Sequence, residues 1–146
     1  MKENKKSEGR QTTDWIDHPP HYEGRFLECI DFIRYAAEKT SGIDAYCMGT
    51  VIKYIWRWPM KGGVQDLQKA EWYLLFWREN GHFIFSEKDG DPAVEQALRR
   101  EMESRFPCRE TGESVRRLLK KTAAVRCRKD ISELIIEIRK AGEILP

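Results

Sequence analysis

Residues 46–74 read YCMGTVIKYIWRWPMKGGVQDLQKAEWYL, and their spacing decides the fold. Met48, Val51, Ile52, Ile55 and Trp56 recur at three- and four-residue intervals, the period of a helix that buries one face. Pro59 lacks the amide hydrogen that an interior helical position needs, and Gly62-Gly63 completes the break. Leu67, Ala70, Leu74 and Trp77 then resume the same period. The stretch predicts two amphipathic helices, over about 44–58 and 64–79, joined by a tight Pro/Gly turn. Lys53, Arg57, Lys61 and Lys69 are distributed through them, and Asn80-Gly81 stops the second.

Upstream, Phe26, Ile30, Ile33 and Ala37 predict a helix over about 26–39 with those four as its apolar stripe, ended by Thr40-Ser41-Gly42. Before it, residues 14–24 (DWIDHPPHYEG) read as ordered but irregular. Pro19 and Pro20 forbid a helix there, while Trp15, Ile16 and Tyr22 are anchors to pack down. Residues 1–13 have the composition of a disordered tail, with no apolar segment behind their lysines, so they do not read as a secretory signal. Downstream, residues 81–92 read as a linker, with HFIF at 82–85 a short strand lacking a partner. Three shorter helices are predicted over about 93–105, 114–126 and 131–141. Asp130 is the expected N-cap of the last, with Glu133 at the capping-box position and Gly142 as its stop. The expected fold is all-α: a three-helix core within residues 14–80, preceded by the irregular segment and followed by a basic helical extension over 93–146.

The 146 residues are 34% charged and 40% hydrophobic, a soluble profile. No apolar run approaches the roughly 18–20 residues of a membrane span. A cytoplasmic protein with no membrane partner is expected. The net charge of +2 is unevenly spread: residues 116–129, from Arg116 to Lys129, hold seven cations and no acid. Such a segment is either a solvated helix face or a contact for nucleic acid or an acidic protein. Cys29, Cys47, Cys108 and Cys127 form no C-x-x-C pair and read as free thiols. A zinc set of His18, His21, Cys29 and Cys47 lacks the paired spacing of structural sites. A helical unit of about 65 residues is marginal alone. With Trp56 and Trp77 available, a homo-oligomer is expected.

The residues able to do chemistry cluster in the first half. Lys53 and Arg57, four apart on a helix, project from one face about 6 Å apart. Lys61 follows beside two glycines whose amides can be approached closely, and Gly62-Gly63 opens a helix N-terminus that favours an anion. Together they form a candidate phosphate-binding corner. The competing reading lays Lys53 and Arg57 over Tyr54 and Trp58 as solvated charges. Glu28 and Asp31, three apart, share a helix face and with Asp66 could hold Mg²⁺. Alternatively, Asp66 answers the dipole of its own helix, and Glu28 or Asp31 pairs with Lys53, Arg57 or Lys69. His18 and His21 flank two prolines in a stiff loop, suited to proton transfer or to hydrogen bonding a phosphate, or to a structural role. Among Tyr22, Tyr54, Trp58, Trp72 and Tyr73, most belong to the core, and one or two are free to stack on a nucleobase. No G-x-x-x-x-G-K-[ST], G-x-S-x-G or H-E-x-x-H motif occurs.

HPPHY at 18–22, Gly24, ECID at 28–31 and GTVIKYIWRWPMKGGVQDLQKAEWYL at 49–74 together resemble a family of small phage and prophage proteins. Most of its members have no assigned function, and it includes a bacteriophage nucleotide kinase without a P-loop. The resemblance covers residues 18–74 and leaves the C-terminal helices outside. It implies nucleotide binding and a (deoxy)nucleoside monophosphate kinase activity in the host cytoplasm, with ATP or another nucleoside triphosphate as donor and Mg²⁺ as cofactor. By position it implicates His18, His21, Tyr22, Glu28, Asp31, Lys53, Tyr54, Arg57, Lys61, Asp66, Lys69 and Trp72. His18, His21, Lys53 and Arg57 would be catalytic. Tyr22, Lys53, Tyr54, Arg57, Lys61, Gly62, Gly63 and Lys69 would bind substrate. Glu28, Asp31 and Asp66 would hold the metal. Thr50 stands where the family has Asn. Two other functions compete. One is binding of a nucleotide or signal nucleotide without turnover. The other is a nucleic-acid or protein-interaction module acting through the basic C-terminal helices.

Overall fold

The computed structural model describes residues 24–144, and the candidate residues His18, His21 and Tyr22 lie outside them. The described chain is all-α. In chain order the helices are α1 (Cys29–Ala37), α2 (Gly42–Arg57), α3 (Val64–Asn80), α4 (Pro92–Arg105), α5 (Arg109–Ala123) and α6 (Arg128–Ile144). No helix among the described residues is long and apolar enough to cross a membrane.

α2 is the central element, packed against α1, α3 and α5. Its expected stripe of Met48, Val51, Ile52, Ile55 and Trp56 is fully buried, and so is the Leu67, Ala70, Leu74 and Trp77 face of α3. Each such apolar side chain contributes about 1.5–3 kcal/mol on leaving water. α6 lies on α3 and α5, while α4 packs on α5 and touches α1. Leu98, Met102, Val115, Leu118, Leu119, Ile131, Leu134 and Ile138 therefore join the same buried cluster as Trp56 and Trp77. Both tryptophans are enclosed within the chain and offer no surface for a second copy.

The first helix is rotated from its predicted stripe, with Ile33 and Ala37 half-buried at the edge of the contact. Cys29, Phe32 and Ala36 are buried, whereas Ile30 is 63% exposed and Phe26 lies ahead of the helix, 45% exposed. Cys29, Phe32 and Ala36 also have helical spacing. Which of two overlapping stripes is buried depends on where the helix starts and on what it meets.

Residues 81–86 form no strand but are packed down. The Asp44 carboxylate, 1% exposed, accepts hydrogen bonds from Trp77 Nε1 (2.8 Å), the His82 amide (3.1 Å) and the Ile84 amide (3.5 Å). Thr40 Oγ1 donates to the Ile84 carbonyl at 2.7 Å, and Phe83 stacks on Trp77. α4 then starts at Pro92, whose missing N–H costs nothing at a first helical position, with Asp91 accepting from the Ala93 amide at 2.9 Å. α5 begins at Arg109, five residues earlier than the apolar period suggests, because its first turn is polar and carries no periodic signal. Asp130 sits inside α6 rather than at its cap, its carboxylate reaching back to the Arg126 amide at 2.9 Å. Gly142 is helical as well.

Because α5 packs on α2 and α6 on α3, with α4 bracing α5, a chain ending at residue 91 would expose much of the shared core. We expect it to lose the cooperative urea transition of the full chain. A sharp transition of comparable midpoint in the truncated protein would show that the first three helices are self-sufficient.

Candidate functional site

The face that α2 and α3 present together is built from helical spacing. Tyr46, Lys53, Tyr54 and Arg57 lie along α2, and Lys69, Trp72, Tyr73 and Phe76 along α3. Three cations converge on the Tyr54 ring: Lys53 Nζ at 5.0 Å, Arg57 Cζ at 5.1 Å and Lys69 Nζ at 5.7 Å from its centroid. At these separations the ring's negative face attracts a cation. Tyr54 stacks on Tyr73 at 6.0 Å, and Tyr73 meets Tyr46 and Trp72 edge to face. Trp72 in turn stacks on Phe76. Trp72 and Tyr46 are 59% and 56% exposed, so the aromatic row opens to solvent beside the lysines. Trp58, by contrast, is buried and unavailable for stacking on a ligand.

Arg57 and Asp66 are each other's partner. The guanidinium meets the carboxylate through two bonds of 3.0 Å, Nε to Oδ2 and Nη2 to Oδ1. Asp66 is 1% exposed. The pair ties the end of α2 to the first turn of α3 across the intervening Lys61-Gly62-Gly63 turn. Gly62 packs against this fork, since a Cβ there would lie 2.1 Å from the Asp66 carboxylate. Gly63 has φ +55°, a conformation that favours glycine. Lys61 is carried on this turn and is exposed.

The three carboxylates considered for Mg²⁺ are not gathered. No group of three or more His, Cys, Asp or Glu side chains among the described residues is arranged to hold a metal. Glu28 and Asp31 instead form the capping box of α1, Asp31 accepting from the Glu28 amide at 3.4 Å. Thr50 spends its hydroxyl on its own helix, donating to the Tyr46 carbonyl at 2.7 Å.

Cys29 and Cys47 are buried thiols whose ionisation burial opposes, pushing Cys29 up to about 12 and Cys47 up to about 11 from an ordinary 9.0. They remain protonated at neutral pH and are poor metal ligands or nucleophiles there. Above pH 9 the unfolded thiols lose protons that the folded chain still holds, so stability falls as pH rises from about 9 towards 12. For Cys29 the loss is on the order of 4 kcal/mol across that window. Urea midpoints measured from pH 8 to 11 should drop, and Cys29→Ala should flatten the decline. An unchanged slope in that variant would assign the alkaline sensitivity elsewhere.

The basic segment 116–129 is largely occupied internally. Arg117 and Lys121 pair with Glu137, and Lys120 with Glu95. Arg126 donates to the carbonyls of Ala123 and Val125 and lies over Phe85. Arg128 donates to the Arg78 carbonyl and lies over Phe83. These contacts tie five of the seven cations to the rest of the chain, leaving Arg116 and Lys129 without an ion pair among the described residues.

Two buried charges escaped the sequence reading. Glu101 on α4, 1% exposed, accepts from the amides of Phe26 (2.7 Å) and Leu27 (3.2 Å) and pairs with Arg105 at 3.6 Å. The Arg105 guanidinium lies 5.5 Å from the Trp56 ring centroid. Leu98, Glu101, Met102 and Arg105 share one helical face, so an acid and a base on an otherwise apolar stripe were the available signal. Asp44 carries the same signal on α2.

Neither a curated protein nor a solved structure matches this chain. Residues 16–75, a span that ends within α3 and includes the Tyr54 cluster and the Arg57–Asp66 fork but none of α4 to α6, match the model of a protein family of unknown function (DUF3310).

Proposed function

We propose that the α2/α3 face binds a (deoxy)nucleoside phosphate, and that the chain acts as a P-loop-free nucleoside monophosphate kinase of phage type. The observation that carries the binding half is the row of exposed rings, Trp72 and Tyr46, running beside the cations gathered at Tyr54. A nucleotide needs a flat apolar surface for its base and cations for its phosphates, and base-on-aromatic stacking is worth about 1–3 kcal/mol. Lys53, Lys69 and the turn residue Lys61 supply the mobile positive charge. Arg57, held by the Asp66 carboxylate, acts as a positioning residue that shapes the Lys61-Gly62-Gly63 turn.

The kinase half rests on the motif resemblance. Phosphoryl transfer asks a protein mainly for positioning and charge neutralisation, which lysines and backbone amides can provide. In this reading Mg²⁺ travels with the phosphates of the triphosphate donor, as it commonly does, rather than in a cage of Glu28, Asp31 and Asp66. His18 and His21 would orient the acceptor.

The test is product chromatography after incubation of the full chain with Mg²⁺, ATP and a panel of nucleoside monophosphates, next to the Lys53→Ala/Lys69→Ala protein. That pair is preferred to a change at Arg57, which would also disturb Asp66. New diphosphate peaks that vanish in the variant are expected. Nucleotide binding lost in the variant, without turnover in either protein, would leave a sequestering protein. Equal binding by both proteins would remove the α2/α3 face from the reading.

A further inference from the structure

A second concave surface lies away from the Tyr54 cluster, between α4 and α5. It is a cavity of about 570 Å³, within the range of about 300–1,000 Å³ usual for small-molecule sites. Its origin is local. Gly112, in the first turns of α5, faces the backbone of Met102 on α4, where a Cβ would come within 3.0 Å of the Met102 carbonyl oxygen. The missing side chain lets the two helices approach, and beside this contact lies a groove over Met102, Phe106 and Pro107.

The walls are charged in a particular way. Arg99 comes from α4 and Arg116 from α5, and both line the groove. Arg109 also lines it, but is taken up by Glu113 at 3.1 Å. Arg99 and Arg116 have no ion-pair partner among the described residues, although Glu103 lines the same groove. This contrasts with Arg117, Lys120, Lys121, Arg126 and Arg128, all engaged within the chain. Guanidinium groups from two walls suit one anionic head, because each presents a planar fork to its oxygens. An apolar floor suits the body attached to that head.

We propose that the α4/α5 groove is a second ligand site, for a compact organic anion. Its flat or apolar body lies over Met102 and Phe106, and its phosphate or carboxylate head sits between Arg99 and Arg116. The site belongs to the part of the chain outside the residues matched by the family model. It is independent of the nucleotide reading of the α2/α3 face, so either can fail without the other.

The test uses the ¹⁵N-labelled full chain titrated with 1-naphthyl phosphate and followed by amide chemical shifts, with inorganic phosphate and 1-naphthol as the head-only and body-only probes. Saturable shifts should centre on Met102, Phe106 and Gly112, with affinity at least about tenfold above either partial probe. Arg99→Gln/Arg116→Gln should lower that affinity about tenfold or more while keeping the wild-type thermal midpoint, since neither arginine is buried. A carboxylate analogue, 1-naphthoate, should bind the same residues and so define the head chemistry as anionic rather than phosphate-specific; binding of the phosphate alone would narrow the class to phosphates. The proposal is overturned if the shifts centre elsewhere, if 1-naphthol binds as well as its phosphate ester, or if the double variant binds like wild type.

Discussion

Asp66→Ala should destabilise the folded chain by about 3–5 kcal/mol, the cost of removing one partner from a buried ion pair. Asp66 is 1% exposed, and its fork on Arg57 has two bonds of 3.0 Å. Deleting the carboxylate takes from the Arg57 guanidinium, whose side chain is only 16% exposed, the two charge-assisted bonds of the fork. Asp66→Asn should cost less, because an amide oxygen can still accept one bond. Replacing both partners, Asp66→Ala with Arg57→Leu, should recover part of the loss, as pairs of buried charges often can be exchanged for apolar groups at little cost. Urea denaturation of wild type, Asp66→Ala, Arg57→Leu and the double variant gives the coupling directly. If Asp66→Ala and the double variant were equally unstable, the fork would not be the source. The consequence for function is local: without the fork, the turn that carries Lys61 loses the contact on Gly62 that shapes it.

The second large effect is expected at Glu101, which joins the two halves of the chain. Glu101→Ala removes the acceptor for the Phe26 and Leu27 amides and the charge facing the buried Arg105, whose side chain is 7% exposed. Losing the acceptor for two amides and one member of a buried ion pair is expected to cost about 3–5 kcal/mol in total. Hydrogen exchange at Phe26 and Leu27 should accelerate in this variant even under conditions where α5 stays protected. Glu101→Gln keeps an acceptor for the amides and should restore most of that protection but not the ion pair. Unchanged exchange at Phe26 and Leu27 in Glu101→Ala would mean that the segment entering α1 is held by other contacts.

Much of this was legible in the residues, for a reason that differs from one element to the next. α2 and α3 were plain because each places a complete apolar stripe at helical intervals and is stopped by Pro59 or by glycine. α1 is legible as a helix but its rotation is not: Ile33 packs against Gly49 of α2 as its period predicts, whereas Ile30 stays exposed and Cys29 and Phe32 take the centre of the contact, a choice that only the packing makes. The start of α5 was missed since Arg109, Glu110 and Glu113 are solvated and give no period. Of the site, the content of the α2/α3 face was readable from Lys53, Tyr54, Arg57 and Lys69. The partner of Arg57 was not: Glu28 and Asp31 are the acids that the sequence suggests for it, whereas Asp66, read as answering its own helix dipole, is the one that the turn brings onto it.

The sequence by itself determined the all-α class, the positions of the central helices and the joint presence of cations and aromatic rings on them, since these follow from intervals of three and four residues along a regular backbone. Only the tertiary structure decided that Asp66 locks Arg57, that Glu101 reaches amides 75 and 74 residues away, and that α4 to α6 complete the core around Trp56 and Trp77. Helical periodicity is a property of neighbours in the chain. The choice among several possible partners for a buried charge is set by which helices the whole core brings into contact, and no local interval encodes it.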